Sequence, residues 1–412
     1  MFKARSSVLQ LRANHRPDYF LGLVAFGLIA VGMIVIYSTG SIVNFNISGG
    51  TTDRNSFFAQ QLISLVIGLG GWFAASRVPY TTWKKWSPWM LGGALFLMLL
   101  VFVPGISGTS RGASRWIRLG PASFQPAEFL KLSTVLFMAT WADTHREELR
   151  RARSSFLPVF GLFVVILVLT VILQRDMGTG IVLVAAGLAV YFMSEVPLHL
   201  FGLVVGGLIG SGAAMIAIFP YRLARLSTFF NRKDDLTGAD YHINQALIAL
   251  GSGGVIGKGL GNSLQSYGYL PESTNDSIYA IIGEQFGLFG TLIVLGLFST
   301  LLWRCYRIIR RAPDRFARMV AAGLTVWLIA QAFINIAAML NLIPLTGIPL
   351  PFISYGGTSL LASMVAIGIL QNISRYTERE ASYEDSSVRR RNRGSRYTAD
   401  RSERRTPTPL GV

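Results

Sequence analysis

Tyr269-Leu-Pro-Glu-Ser-Thr-Asn-Asp-Ser-Ile-Tyr-Ala-Ile-Ile-Gly-Glu-Gln-Phe-Gly287 begins as a polar turn and continues as an apolar helix, with Asp276 at its mouth and Glu284 inside it. A carboxylate at the centre of a bilayer span costs about 2.5–3.5 kcal/mol even on the lenient insertion scale, so it normally faces a polar cavity and marks a functional pathway. The stretch therefore predicts a water-accessible site inside a membrane protein. Asp276 has a second reading on its residues alone, as the N-cap of the helix that follows, because aspartate is among the commonest caps.

The rest of the chain agrees with a membrane setting. Of 412 residues, 51% are hydrophobic and only 14% charged, and the apolar residues are gathered into long runs. Runs near the ~20 residues that a helix needs to cross a bilayer lie at Tyr19 to Thr39, Phe57 to Ser76, Pro88 to Val103, Glu128 to Ala142, Phe156 to Leu173, Gly178 to Ser194, Leu200 to Pro220, Ser277 to Trp303, Met319 to Leu342 and Gly357 to Ile373. The expectation is an all-α polytopic membrane protein of about ten helices, with a long extracytoplasmic connection from Tyr221 to Asn275 between the seventh and eighth. Residues 1–18 form a short leading segment, 19–374 the helical domain and 375–412 an arginine-rich tail expected to be disordered. That tail reads as a solvated topogenic end or a docking segment for an acidic partner or lipid.

Basic residues set the orientation. Lys3, Arg5, Arg12 and Arg16 precede the first span; Lys84 and Lys85 follow the second, Arg150 and Arg151 the fourth, and Arg310 and Arg311 the eighth. All fall on one side, which places both termini in the cytoplasm. The formal charge of +17 is thus topological. Cations that flank spans instead of forming a groove argue against nucleic-acid binding. Cys305 is the only cysteine, so no intramolecular disulfide forms. The histidines, His15, His145, His199 and His242, are scattered, and nothing has zinc-ligand spacing.

Two exterior connections carry cations against the topological rule. Between the third and fourth spans lie Arg111, Arg115 and Arg118, whose planar forks suit phosphate, either on one anionic headgroup or without selectivity. Pro126 then opens a helix, and Glu128 and Lys131 share one face of it at a spacing of three. They read as a local ion pair or, given their place inside a span, as a cavity-lining pair. The long connection holds Arg222 and the run Gly251-Ser-Gly-Gly-Val-Ile-Gly-Lys-Gly-Leu-Gly261 with Lys258, a segment able to offer amides to phosphate or simply to flex. It lacks Walker spacing. Asn341 to Ser359, broken by Pro344, Pro349 and Pro351, is expected to be a re-entrant wall of the site, with Ser354 and Tyr355 in it.

Four stretches together resemble the bacterial SEDS family (shape, elongation, division and sporulation): Leu270 to Glu284; Arg115-Trp-Ile-Arg-Leu-Gly-Pro with Gln125-Pro-Ala-Glu-Phe-Leu-Lys131; Gln174-Arg-Asp-Met-Gly-Thr179; and Gly347 to Ser359. The resemblance runs from the first span to about Tyr376, and the wording from Thr346 to Tyr355 is closer to the division branch than to the elongation branch. It implies a peptidoglycan glycosyltransferase of the bacterial cytoplasmic membrane that polymerises lipid II. The implied partners are a class B penicillin-binding protein, which cross-links the product, and other membrane proteins of the division machinery. It also implies that Asp276 is the catalytic aspartate, acting as general base for inverting transfer with polyprenyl pyrophosphate as leaving group. Lys131, the outer arginines or a divalent ion, magnesium or manganese, are the implied stabilisers of that leaving group. The family commonly has proline where Arg175 stands, so this chain places an extra cation beside Asp176. A flippase for lipid-linked oligosaccharides or a noncatalytic division scaffold would need the same cavity without the base.

Overall fold

The computed structural model describes residues 16–47, 56–104, 107–110, 113–119, 122–150, 152–218 and 239–376. Arg111, Arg222, residues 1–15 and the tail from 377 lie outside the described residues. Eleven helices are described: α1 (Tyr19–Ile47), α2 (Ser56–Arg77), α3 (Tyr80–Leu100), α4 (Pro126–Thr144), α5 (Ala152–Leu167), α6 (Met177–Met193), α7 (Leu198–Ile218), α8 (Ala239–Ser252), α9 (Ile278–Arg310), α10 (Arg315–Met339) and α11 (Gly357–Ser374). Each of the ten apolar runs overlaps one of them, and the fifth continues past α5 through a π-helical stretch, Val168–Leu173. Six helices are long and apolar enough to cross a membrane by length and composition, and α6 and α7 are shorter apolar helices. The chain is a multi-pass membrane protein.

Polar side chains gather the helix ends into two groups. At one end, Asp18 before α1 pairs with Arg304 of α9 at 2.6 Å, Tyr80 donates to Asp314 at 2.5 Å, and Lys84 of α3 meets Asp143 of α4 at 2.5 Å. Asp314 also caps α10 through the Ala317 amide at 2.7 Å. This is the basic end. The opposite end, the site end, collects the starts of α2, α4, α6, α9 and α11. Between the two, α10 and α11 form the interior, 72% and 78% buried along their apolar windows against 11% for α2, which turns its apolar face outward as a lipid-facing helix must.

The structure corrects the sequence reading in three places. First, α3 begins at Tyr80, two turns before Pro88, which lies inside it. Proline cannot donate to the carbonyl four residues back; the Ser87 hydroxyl donates to that Lys84 carbonyl instead, at 3.0 Å. Secondly, the fold is not purely helical. β1 (Ser107–Ser110), β2 (Ala113–Leu119) and β3 (Ala122–Phe124) form an antiparallel meander between α3 and α4, with Gly108 opposite Trp116 and Arg118 opposite Ser123. Ile117 faces inward and Arg118 outward, the alternation that a half-buried strand requires.

Thirdly, the connection before α9 contains α8, and its glycine-rich run is neither a flexible loop nor a free row of amides. α9 breaks at Gly287 (φ 66°, ψ −158°). Leu288 and Phe289 there donate to Gly254 and Val255, while Lys258 and Gly259 donate to the Glu284 and Gln285 carbonyls at 2.9 and 3.0 Å. The inserted segment thus takes over the bonds that the broken helix gives up, as backbone at membrane depth demands. Glycine is required for the approach: a Cβ at Gly257 (φ 89°) would lie 2.3 Å from the Gln285 carbonyl oxygen. Gly257→Ala is expected to cost about 3 kcal/mol or more, at the upper end of overpacking effects; an unchanged thermal midpoint in detergent would contradict this account of the break.

Candidate functional site

Asp276 closes the polar turn that begins at Pro271, and it is 9% exposed. The cap position of α9 is occupied by Ser277, without a side-chain cap bond. Asp276 is therefore not the N-cap. Its position is fixed through the main chain: Asn335 of α10 donates its side-chain amide to the Asp276 carbonyl at 2.7 Å and to the Ile348 carbonyl at 2.8 Å. A Cβ built on Gly347 (φ 68°) would stand 3.6 Å from Asp276 Oδ2, so a residue with almost no side chain lines one side of the carboxylate.

The proline-broken segment 341–356 forms the opposing wall, as expected of a re-entrant element. Ser354 accepts from the Leu350 amide at 2.7 Å and donates to the Asn275 carbonyl at 2.6 Å, and the Tyr355 amide donates to the Thr274 carbonyl at 2.9 Å. The two walls are thus stitched by backbone groups. Gln61 of α2 joins them, accepting from the Gly356 amide at 3.2 Å. Tyr355, outside the spanning helices, donates its hydroxyl to Gln60 and stacks edge-on against Phe57 at 5.0 Å. Burial raises the pKa of its phenol, which keeps that donor proton in place.

Glu128 and Lys131 form the buried pair that their spacing suggested. Lys131 is 2% exposed and Glu128 1%; Lys131 Nζ stands 2.8 Å from Glu128 Oε1 and donates to Gln331 Oε1 at 2.7 Å. Trp327 donates to the same Gln331 oxygen at 2.9 Å and presents its ring to Lys131 at 5.3 Å. Gln331 also donates to the Pro349 carbonyl at 2.9 Å. Gln331 and Asn335, four residues apart on one face of α10, therefore hold the consecutive carbonyls of Pro349 and Ile348. Through them the Glu128–Lys131 pair and the Asp276 turn rest on one scaffold.

Sequence reasoning passed over both amides. Their signal was there: Gln331 and Asn335 are the polar residues of one face in an otherwise apolar span, and polar groups at membrane depth need a reason. It also passed over His242 of α8, which donates through Nε2 to Ser277 Oγ at 2.6 Å while Ser277 donates to the Pro271 carbonyl at 2.9 Å. That contact fixes the residue next to Asp276.

Other expected site residues take different positions. Glu284 accepts from Lys258 at 2.9 Å, Ser263 at 2.5 Å and the amides of Leu264 and Gln265 at 3.1 and 3.3 Å. It anchors the connection that leads to Asp276. Asp176 caps α6, accepting from the Thr179 amide at 3.0 Å and the Thr179 hydroxyl at 2.9 Å. Arg118 is exposed. Arg115, read as an exposed phosphate ligand, is half-buried and donates to the Gln174 carbonyl at 3.0 Å and the Arg175 carbonyl at 2.6 Å, joining β2 to the turn between α5 and α6. Arg115→Ala should consequently lower the thermal midpoint, since charge-assisted bonds to carbonyls are each worth about 1.5–3 kcal/mol. Unaltered stability together with weakened substrate use would restore the phosphate-ligand reading.

Among the described residues no three His, Cys, Asp or Glu cluster as metal ligands do. A magnesium or manganese ion would draw most of its oxygens from a pyrophosphate and water, the usual habit of Mg²⁺ beside phosphates.

The cell cycle protein family of FtsW, RodA and SpoVE matches residues 19–379. The chain is 38% identical to stage V sporulation protein E of Bacillus subtilis (strain 168) over 364 residues, covering 88% of this chain and 98% of that one. It is 35% identical to the probable peptidoglycan glycosyltransferase FtsW of Geobacter sp. (strain M18) over 363 residues, 87% and 96% of the two chains. Among solved structures, a chain of a peptidoglycan synthase complex that coordinates polymerisation and crosslinking superposes with a TM-score of 0.69 at 23% identity, over 87% of this chain and 98% of that one. The rod shape determining protein RodA of Thermus thermophilus gives 0.61 at 23% identity, over 88% and 98%. These last two share the fold. The chain belongs to the FtsW, RodA and SpoVE family of cell cycle proteins, the SEDS family that its motifs resemble.

Proposed function

We propose that the chain is a peptidoglycan glycosyltransferase that polymerises lipid II into glycan strands during bacterial cell division. The observation that carries this reading is a carboxylate, Asp276, set between two backbone-stitched walls at one end of a helical bundle, with a glycine beside Oδ2. In this reaction the 4-hydroxyl of the acceptor sugar attacks the anomeric carbon of the donor. The new C–O bond forms as the bond to pyrophosphate breaks, its electron pair leaves with polyprenyl pyrophosphate, and the hydroxyl proton passes to Asp276 as general base. Direct displacement inverts the anomeric centre.

The buried Glu128–Lys131 unit positions this turn through α10. Arg118, with Arg111 and Arg222, supplies cations toward the leaving group. A divalent ion carried by the pyrophosphate fits the same chemistry. The site end faces out of the cytoplasm, the basic end and both termini face in, and the membrane is the bacterial inner membrane. A class B penicillin-binding protein cross-links the strands, and other division proteins assemble with the pair. The support for that partner is the fold shared with a chain of a peptidoglycan synthase complex. Purified protein given lipid II should form polymer on gels, and more of it with the transpeptidase present. Lipid moved across vesicles without polymer would favour a flippase, and neither outcome with intact partner binding would favour a scaffold.

A further inference from the structure

The glycine-rich turn before α9 carries a cluster of exposed apolar side chains. Val255, Ile256 and Leu260 are all more than half exposed, and Ile256 is 82% exposed. Backbone groups of the same turn are committed inward. The carbonyls of Gly254 and Val255 accept from Leu288 and Phe289, the amides of Lys258 and Gly259 donate to the Glu284 and Gln285 carbonyls, and the Gly257 amide donates to Gly253 at 2.8 Å. The tip of the turn thus presents hydrocarbon while these polar groups are spent on the break in α9, the condition under which irregular backbone can stand in a bilayer.

The turn is level with the lipid-facing part of α9. Leu288, Phe289, Leu292 and Ile293 are exposed, and the apolar face that they begin runs on to Leu302 and Trp303. Arg304, paired with Asp18 in front of α1 at 2.6 Å, marks the boundary of the apolar layer at the basic end. From Arg304 back to Phe289 the helix rises about 22 Å, against an apolar layer about 30 Å thick. Any tilt of α9 brings Phe289 deeper still. Phe289, and Val255 bonded to it, therefore lie below the opposite boundary, inside the hydrocarbon. The polar groups fall where that boundary should be: Glu284, further out along α9, pairs with Lys258 at 2.9 Å. Tyr267 and Tyr269, both exposed, are of the residue type that collects at membrane surfaces.

We propose that the turn 254–260 is a lipid anchor, with Val255 and Ile256 seated among the acyl chains of the leaflet at the site end. Acyl chains are favoured over water or a covering protein because the turn continues a helix face that already meets lipid, at a depth from which water is excluded. The anchor holds the segment that carries Asp276. Glu284, bound by Lys258, also binds Ser263 and the amides of Leu264 and Gln265, and the Leu270 amide donates to the Gln265 carbonyl at 3.1 Å. The bilayer surface thereby sets the level of the Asp276 turn. Immersion of the tip does not depend on the glycosyltransferase reading, so the two fail separately.

The experiment places a nitroxide at residue 256 of the full-length protein in nanodiscs of phosphatidylethanolamine and phosphatidylglycerol. Cys305, the only cysteine, is buried, so a cysteine introduced at the surface takes the label. Ile256→Cys is compared with Leu292→Cys on the lipid face of α9 and with Arg118→Cys, exposed on β2. Each is read by collision with oxygen, which concentrates in lipid, and with a nickel chelate, which stays in water. The oxygen-to-nickel ratio at residue 256 is expected to match that at 292 and to exceed that at 118 severalfold. Val255→Cys should behave as Ile256→Cys does, and since both positions are exposed the label disturbs no packing. A ratio like that at residue 118 would mean that the tip stands in water, and shielding from both reagents would mean that protein covers it; either result overturns the anchor.

Discussion

Lys131→Met is expected to destabilise the protein by about 3–5 kcal/mol, the usual cost of removing one partner from a buried ion pair. The reason lies in what stays behind. Glu128 is 1% exposed, Lys131 Nζ is the partner of its Oε1, and its Oε2 has no hydrogen-bond partner among the described residues. Gln331 would lose its lysine donor as well, loosening the support of the Pro349 carbonyl. Glu128→Gln alone leaves a buried ammonium with Gln331 and the Trp327 ring, and should cost less. The double variant, Glu128→Gln with Lys131→Met, removes both charges and should recover much of the loss, so its effects on stability and on polymerisation should fall well short of the combined single effects. Thermal unfolding in detergent and polymerisation rates on the same four proteins measure this. Full additivity would mean that the two side chains do not act as one unit.

The sequence made the membrane character and the apolar runs legible because burial in lipid needs length and hydropathy, both local properties. The Glu128–Lys131 pair was legible for the same reason, since a spacing of three on one helix fixes two side chains without knowledge of the rest. What it hid depends on contacts between distant segments. The glycine-rich run announces close approach, but only the fold shows that the neighbour is the break at Gly287 instead of a phosphate. Arg115 looked exposed because it lies in a connection between spans among other cations, and its two carbonyl partners lie some 60 residues away. Gln331 and Asn335 join three segments that no window of sequence contains.

The second large effect concerns Asp276. Residue 276 is tied to Asn335 through its main-chain carbonyl, a bond that asparagine keeps, and the cap of α9 belongs to Ser277, so Asp276→Asn disturbs neither. Asparagine matches aspartate in size but cannot accept a proton from a hydroxyl. The variant should therefore fold, insert and bind its partner, yet lose roughly 10²–10⁴-fold in rate, the range of a missing general base. The direct measurement is the initial rate of glycan-strand formation from lipid II by equal amounts of folded parent and Asp276→Asn protein: a loss of about that size is predicted, and a near-parental rate would contradict the role given to Asp276.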